Sequence, residues 1–221
     1  MAKDEQTITL SRPKMKTEDK SISHRYLAPH SDLRFPQKIN VHFPLRGQLH
    51  RLALDVNRRI NDKTSTEIDF SAKSFQVPHV TIYMGFVHDI EALQMLMEQT
   101  REFFGKRTPL RVSVTAPYLK QPRRNWVFID LVESEDLIQL KTEFREAADP
   151  YMEPLSWDVV SEPPHITVGY IKSEFDAVAR ELEQFVVKNF FWLEAVELSF
   201  GGSRGSCLGS IRTFELSTTD K

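Results

Sequence analysis

Pro78-His79-Val80-Thr81-Ile82 recurs as Pro164-His165-Ile166-Thr167-Val168, one copy in each half of a 221-residue chain. Each copy lies in a run of branched apolar residues. The alternation predicts a half-buried strand, in which side chains two apart share a face. His79 then stands beside Thr81, with Val80 and Ile82 turned toward a core. His165 stands beside Thr167, with Ile166 and Val168 turned inward. Continued further, the alternation puts Tyr83 on the His79 face, either holding a phosphate oxygen or a base, or packing at the rim. It puts Gly169 on the His165 face, where the missing side chain leaves room, and points Tyr170 the other way, into the core.

Two histidines and two threonines suit phosphodiester cleavage. One neutral imidazole can deprotonate the nucleophile while a protonated one protonates the departing oxygen, because the ordinary histidine pKa lies near neutrality. The threonine hydroxyls can donate to non-bridging oxygens as charge develops. This scheme needs no metal, and the sequence has no HExxH, paired cysteines or calcium loop.

Two H-x-T-x motifs on strands, widely separated in one chain, resemble the two-histidine (2H) phosphoesterase superfamily. The resemblance covers residues from about 37 to the C-terminus. It implies a bilobal, duplicated α+β fold, with two antiparallel sheets flanking a central cleft and helices outside. It also implies catalytic roles for His79 and His165, with Thr81 and Thr167 binding substrate and no cofactor. The substrate classes it suggests are a 2′,3′-cyclic phosphate, a 2′-5′ linkage or a cyclic oligonucleotide. The same pair of histidines would serve a 3′ exonuclease that leaves a cyclic phosphate. A non-catalytic module holding a nucleotide or RNA end is a third reading.

The rest of the chain repeats one order in each half: strand, helix, motif strand, helix, strand. Strands are expected at 38–45, 77–87, 110–116 and 126–132, with helices at 47–60 and 89–104. Asp89 is the expected cap of the second helix, and Ser134 of a third. Ser173 and Asp176 suggest a capping box for a fourth. Two last strands, about 192–200 and 210–217, flank Gly201-Gly202-Ser203-Arg204-Gly205-Ser206. That segment lacks the Lys-Ser/Thr ending of a phosphate loop and reads as a hairpin turn, with Arg204 placed to touch a phosphate. The lobes are expected at about 37–120 and 121–221, after a polar, partly disordered extension over 1–36 that holds His24 and His30.

Trp126 and Phe128 share one face of their strand and either stack a base or fill core. Arg123 and Arg124, in the loop LKQPRRN, either face solvent or capture a phosphate chain. His50 falls off the apolar stripe of its helix and is expected in solvent. His42 shares the cleft-side alternation of its strand but reads better as a packed structural histidine. Bulk properties set the partner class. With 29 basic and 31 acidic residues, the chain is not driven electrostatically onto long nucleic acid, so a small nucleotide or a short RNA end fits better than a long duplex, and the resemblance adds a cyclic oligonucleotide to the expected ligands. The single cysteine, Cys207, suits a reducing cytoplasm. No apolar run has membrane-spanning length.

Overall fold

Alternating strands and amphipathic helices follow one another through the computed structural model, which describes residues 33–71, 74, 76–121, 125–132, 135–155, 163–187 and 190–217. The first half holds β1 (Gln37–Pro44), α1 (Gly47–Asn61), β2 (His79–Val87), α2 (Ile90–Phe104), β3 (Leu110–Val114) and β4 (Tyr118–Leu119). The second holds β5 (Trp126–Val132), α3 (Glu135–Ala148), β6 (Glu153–Pro154), β7 (His165–Tyr170) and α4 (Phe175–Leu182), then β8 (Phe190–Leu193), β9 (Ala195–Gly201) and β10 (Cys207–Glu215). Every strand pairing among the described residues is antiparallel. The strands run β10-β9-β1-β2-β7-β5-β3-β8, with β4 beside β5 and β6 beside β2. The fold is thus α+β, two antiparallel halves meeting at the two motif strands.

The sheet halves do not follow the halves of the sequence. β3 crosses to pair with β5, while β9 and β10 return to cover β1. The expected division near residue 120 therefore differs from the grouping of the strands. The first half lends β3 to β5 and the second lends β9 to β1, which covers the outer edges of those strands. Alternation reports which face a side chain takes, not which strand lies beside it.

Both motif strands carry an irregularity at the same place. In β2, Tyr83 faces Val41 but Thr81 faces His42, so Ile82 is an extra residue. In β7, Gly169 faces Val127 but Thr167 faces Phe128, so Val168 is extra. Each bulge directly follows the motif threonine and reverses the alternation beyond it. Tyr83 consequently joins the core, and its hydroxyl donates to Asp149 Oδ1. Gly169 turns to the core as well, where a Cβ would lie 3.0 Å from Ile60 Cδ1. The expectations for Tyr83, Gly169 and Tyr170 are corrected by the same cause.

The helices cover the core face. α1 packs on β7 and α4, α3 on β2 and α2, and α2 also on β10. Phe104 and Phe144 pack with ring centroids 5.1 Å apart, and Phe43 lies 6.1 Å from Phe104. Asp89 caps α2 by accepting from the Ala92 N–H. α4 departs from expectation: Glu174 precedes it with a left-handed backbone and no side-chain cap, while Ser173 Oγ pairs with Thr64 Oγ1. His50 is buried rather than solvated, because a helix packed on both a sheet and a second helix buries a wider arc. Leu33 and Phe35 pack against the core, so ordered packing begins before residue 37. His24, His30 and Ser134 lie outside the described residues. Among the described residues no helix is long and apolar enough to cross a membrane.

Asn57 of α1 ties the second bulge to the helix layer. Its Nδ2 donates to the carbonyls of Val168 and Ile68, each at 2.8 Å, and its Oδ1 accepts from the Phe70 N–H at 3.0 Å. Asn57→Ala would remove three hydrogen bonds to enclosed backbone groups. A loss on the order of 2–4 kcal/mol in urea denaturation is expected, against little for Asn61→Ala on the same helix.

Candidate active site

Val80 pairs with Ile166 where β2 meets β7. An antiparallel register then sets His79 across from Thr167 and Thr81 across from His165, all on the face opposite Val80 and Ile166. The two histidines are diagonal neighbours, for which side-chain roots lie about 7–8 Å apart. The four motif residues are all partly exposed, whereas Val80, Ile82, Ile166 and Val168 are buried.

The proline before each histidine explains how the imidazoles are aimed. His79 Nδ1–H donates to the Val77 carbonyl at 2.8 Å, and His165 Nδ1–H to the Pro163 carbonyl at 2.9 Å. In both cases the acceptor precedes the proline. Proline's fixed φ sets the turn of the chain that brings this carbonyl to the ring. The Nδ1–H tautomer is thereby favoured, which leaves the lone pair of each ring on Nε2.

The two histidines sit in different surroundings. Asn40 Nδ2 donates to His79 Nε2 at 3.1 Å and also approaches the Gly205 carbonyl and Cys207 Sγ. Enclosure by these groups, with the charge of His165 nearby, pushes the His79 pKa down to about 4. His79 is therefore neutral near neutral pH. His165 stacks on Phe128, centroids 4.1 Å apart at 20°, with Asp130 across the strand pair. Sequence reasoning missed Asn40, which nothing but the pairing of β1 with β2 brings to His79.

Phe128 and Trp126 lie on the same face as His165, but their surroundings differ. Phe128 is 5% exposed, covered by His165 and approached at 4.9 Å by the Lys120 ammonium. Its ring holds an imidazole and offers no open face to a base. Trp126 is half-buried and meets Tyr170 edge-on at 4.7 Å. Tyr170 is brought to this face by the bulge at Val168. Arg204, in the β9–β10 turn, lies 4.0 Å above the Tyr170 ring and donates from Nε to Glu67 at 2.9 Å. Its backbone is left-handed (φ 54°), strained for a non-glycine residue, and these contacts hold it there. Arg123 and Arg124 lie outside the described residues. Among the described residues no cluster of three or more His, Cys, Asp or Glu is arranged to hold a metal ion.

The sequence profile of the 2′-5′ RNA ligase superfamily matches residues 41–199, which include both motifs. This chain belongs to that superfamily. Its members are 2H phosphoesterases, which makes a phosphodiesterase-type enzyme the family's chemistry. Among solved structures, apo LigT of E. coli matches with a TM-score of 0.58 at 13% identity, over 84% of this chain and 100% of LigT. TT0787 of Thermus thermophilus matches with a TM-score of 0.60 at 14% identity, over 81% of this chain and 97% of TT0787. At such identities the likeness establishes the fold. No curated protein matched the sequence.

The depressed His79 pKa has a consequence for stability. Between its ordinary value of 6.5 and about 4, the unfolded chain protonates this residue while the folded protein does not. The unfolded state then binds more protons, so this contribution is intact above pH 6.5 and is lost as pH falls toward 4. Urea denaturation across that range should show a shallower pH dependence for His79→Gln than for the unmodified protein.

Proposed function

We propose that the protein is a metal-independent phosphodiesterase acting on a nucleotide or RNA phosphodiester. The observation that carries this reading is the crosswise placement of His79, Thr81, His165 and Thr167 on one face of the β2–β7 junction, with both Nδ1 atoms anchored to backbone carbonyls. Neutral His79 Nε2 takes a proton from the attacking water, whose oxygen forms the new bond to phosphorus. Protonated His165 Nε2 gives its proton to the oxygen that leaves. The hydroxyls of Thr81 and Thr167 donate to the non-bridging oxygens, where charge grows in the transition state. The proton taken and the proton given balance, leaving the pair reversed until solvent resets it.

Nucleotide ligands are supported by the relatives: E. coli LigT has been crystallised with phosphate, 3′-AMP and ATP. On this chain, Trp126 and Tyr170 supply the aromatic surface beside His165 that a base would stack on. A phosphate contact by Arg204 requires that its Glu67 partner be exchanged for the ligand. The expected substrates are a 2′,3′-cyclic phosphate, a 2′-5′ linkage or a cyclic oligonucleotide, cleaved without a divalent ion.

Turnover of cyclic mononucleotides, 2′-5′ oligoadenylates and cyclic dinucleotides in excess chelator tests the reading. His79→Ala and His165→Ala should each lose about 10²–10⁴-fold in kcat. The double variant should be little worse than either, because acid and base act as a unit. An absolute requirement for an added divalent ion would contradict the scheme. Thr81→Val or Thr167→Val should lose on the order of 2–4 kcal/mol of transition-state stabilisation, mostly in kcat, while the serine variants retain much of the activity. Near-native turnover in the valine variants would reduce the threonines to strand packing.

A further inference from the structure

The strands outside the motif pair match each other position for position. His42 of β1 lies opposite Thr81, and Phe128 of β5 lies opposite Thr167. Each lays its ring against the adjacent motif histidine, with centroids 4.8 Å apart for His42 and His79 and 4.1 Å for Phe128 and His165. Where one half uses a phenyl, the other uses a fully buried imidazole. Packing alone does not call for it, since burying a polar ring costs free energy that a phenyl avoids.

The imidazole is connected to a line of polar groups. His42 Nε2 lies 3.1 Å from Ser199 Oγ and 3.6 Å from Glu197 Oε1, and the Phe43 backbone also reaches the ring. With its hydrogen on Nε2, the ring donates toward Ser199 and Glu197. Glu197 is nearly buried, and its Oε2 accepts from Thr213 Oγ1 at 2.9 Å.

We propose that His42 and Glu197 are positioning residues for His79, the carboxylate acting through the His42 ring to strengthen His79 as the base. The proposal rests on the phosphodiesterase reading above. Facing these groups are Lys38 and Asn40 from β1, Ser199 from β9, and Cys207, Ser210 and Thr213 from β10. Arg46 before α1 and His165 across the junction complete the charged surroundings. Burial raises the Glu197 carboxyl to about 7, against the hydrogen bonds from Thr213 and Ser210 and the Arg46 charge. The carboxylate thus gains its charge across the neutral range, and once charged it stabilises the imidazolium that His79 becomes in the transition state. Phe128 gives His165 no such connection, so the duplicated site becomes unequal and its two histidines take different roles.

Glu197→Gln keeps the size of the side chain and mimics its protonated form. In the unmodified protein, kcat should rise as Glu197 ionises near pH 7. In Glu197→Gln that rise should be lost, with kcat unchanged at about pH 6 and reduced at about pH 8. His42→Phe, which installs the ring used beside His165, should lose the rise as well. The ¹⁵N resonances of the His79 ring give a readout that does not need turnover, carrying an inflection near neutrality that disappears in Glu197→Gln. An inflection that survives in Glu197→Gln belongs to His165 and overturns the proposal. A kcat rise unchanged in His42→Phe overturns the part given to His42. Absence of turnover in the unmodified protein would instead defeat the phosphodiesterase reading, and the resonances would still decide the coupling.

Discussion

One strand pairing holds the site together. Val80 against Ile166 joins the two halves of the sheet, and the antiparallel register at that point sets each histidine across from the other half's threonine. A slip of one residue would turn all four side chains into the core and bring the valines and isoleucines out. The burial of Val80, Ile82, Ile166 and Val168 prevents that slip, because exposing them would lose about 1.5–3 kcal/mol each. The apolar residues of the motif thus fix the position of the polar ones.

The bulges complete this arrangement. Each inserts one residue after the motif threonine, ends the run of site-facing positions and directs the next side chain inward. On the first half this gives the core Tyr83, whose hydroxyl finds Asp149. On the second it brings Gly169 against Ile60 and delivers Tyr170 to the site face. A bulge leaves backbone groups outside the ladder, and Asn57 receives one of them, the Val168 carbonyl. The helix layer therefore supports the site through a buried hydrogen bond as well as through apolar contact.

Electrostatics then separates two histidines that the duplicated sequence makes look alike. Identical anchoring at Nδ1 gives both the same tautomer, so their difference comes from what surrounds the rest of the ring. His79 is enclosed by Asn40, His42 and the Gly205 carbonyl, and a charged form there is poorly solvated. His165 rests on a phenyl beside the Asp130 side of β5. Burial thus holds His79 in its neutral form, while His165 lies against a phenyl ring.

The sequence by itself determined the motif strands, most helices and the apolar faces, because 3.6-residue and two-residue periodicities are local consequences of backbone geometry. It also determined His79, Thr81, His165 and Thr167 as a group, since alternation within five residues is too short to be disturbed by a later bulge. Tyr83, Gly169 and Tyr170 were misread where alternation was carried past one. The rest depended on which strands become neighbours. Asn40 and His42 reach His79, Glu197 reaches His42 and Phe128 reaches His165 through pairings between distant segments, including the exchange of β3 and β9 between halves. No spacing along the chain encodes those pairings, since they follow from covering sheet edges and burying apolar faces together. Tertiary structure alone decided that Phe128 holds an imidazole instead of a base, and that Arg204 spans from its turn to Glu67 and Tyr170.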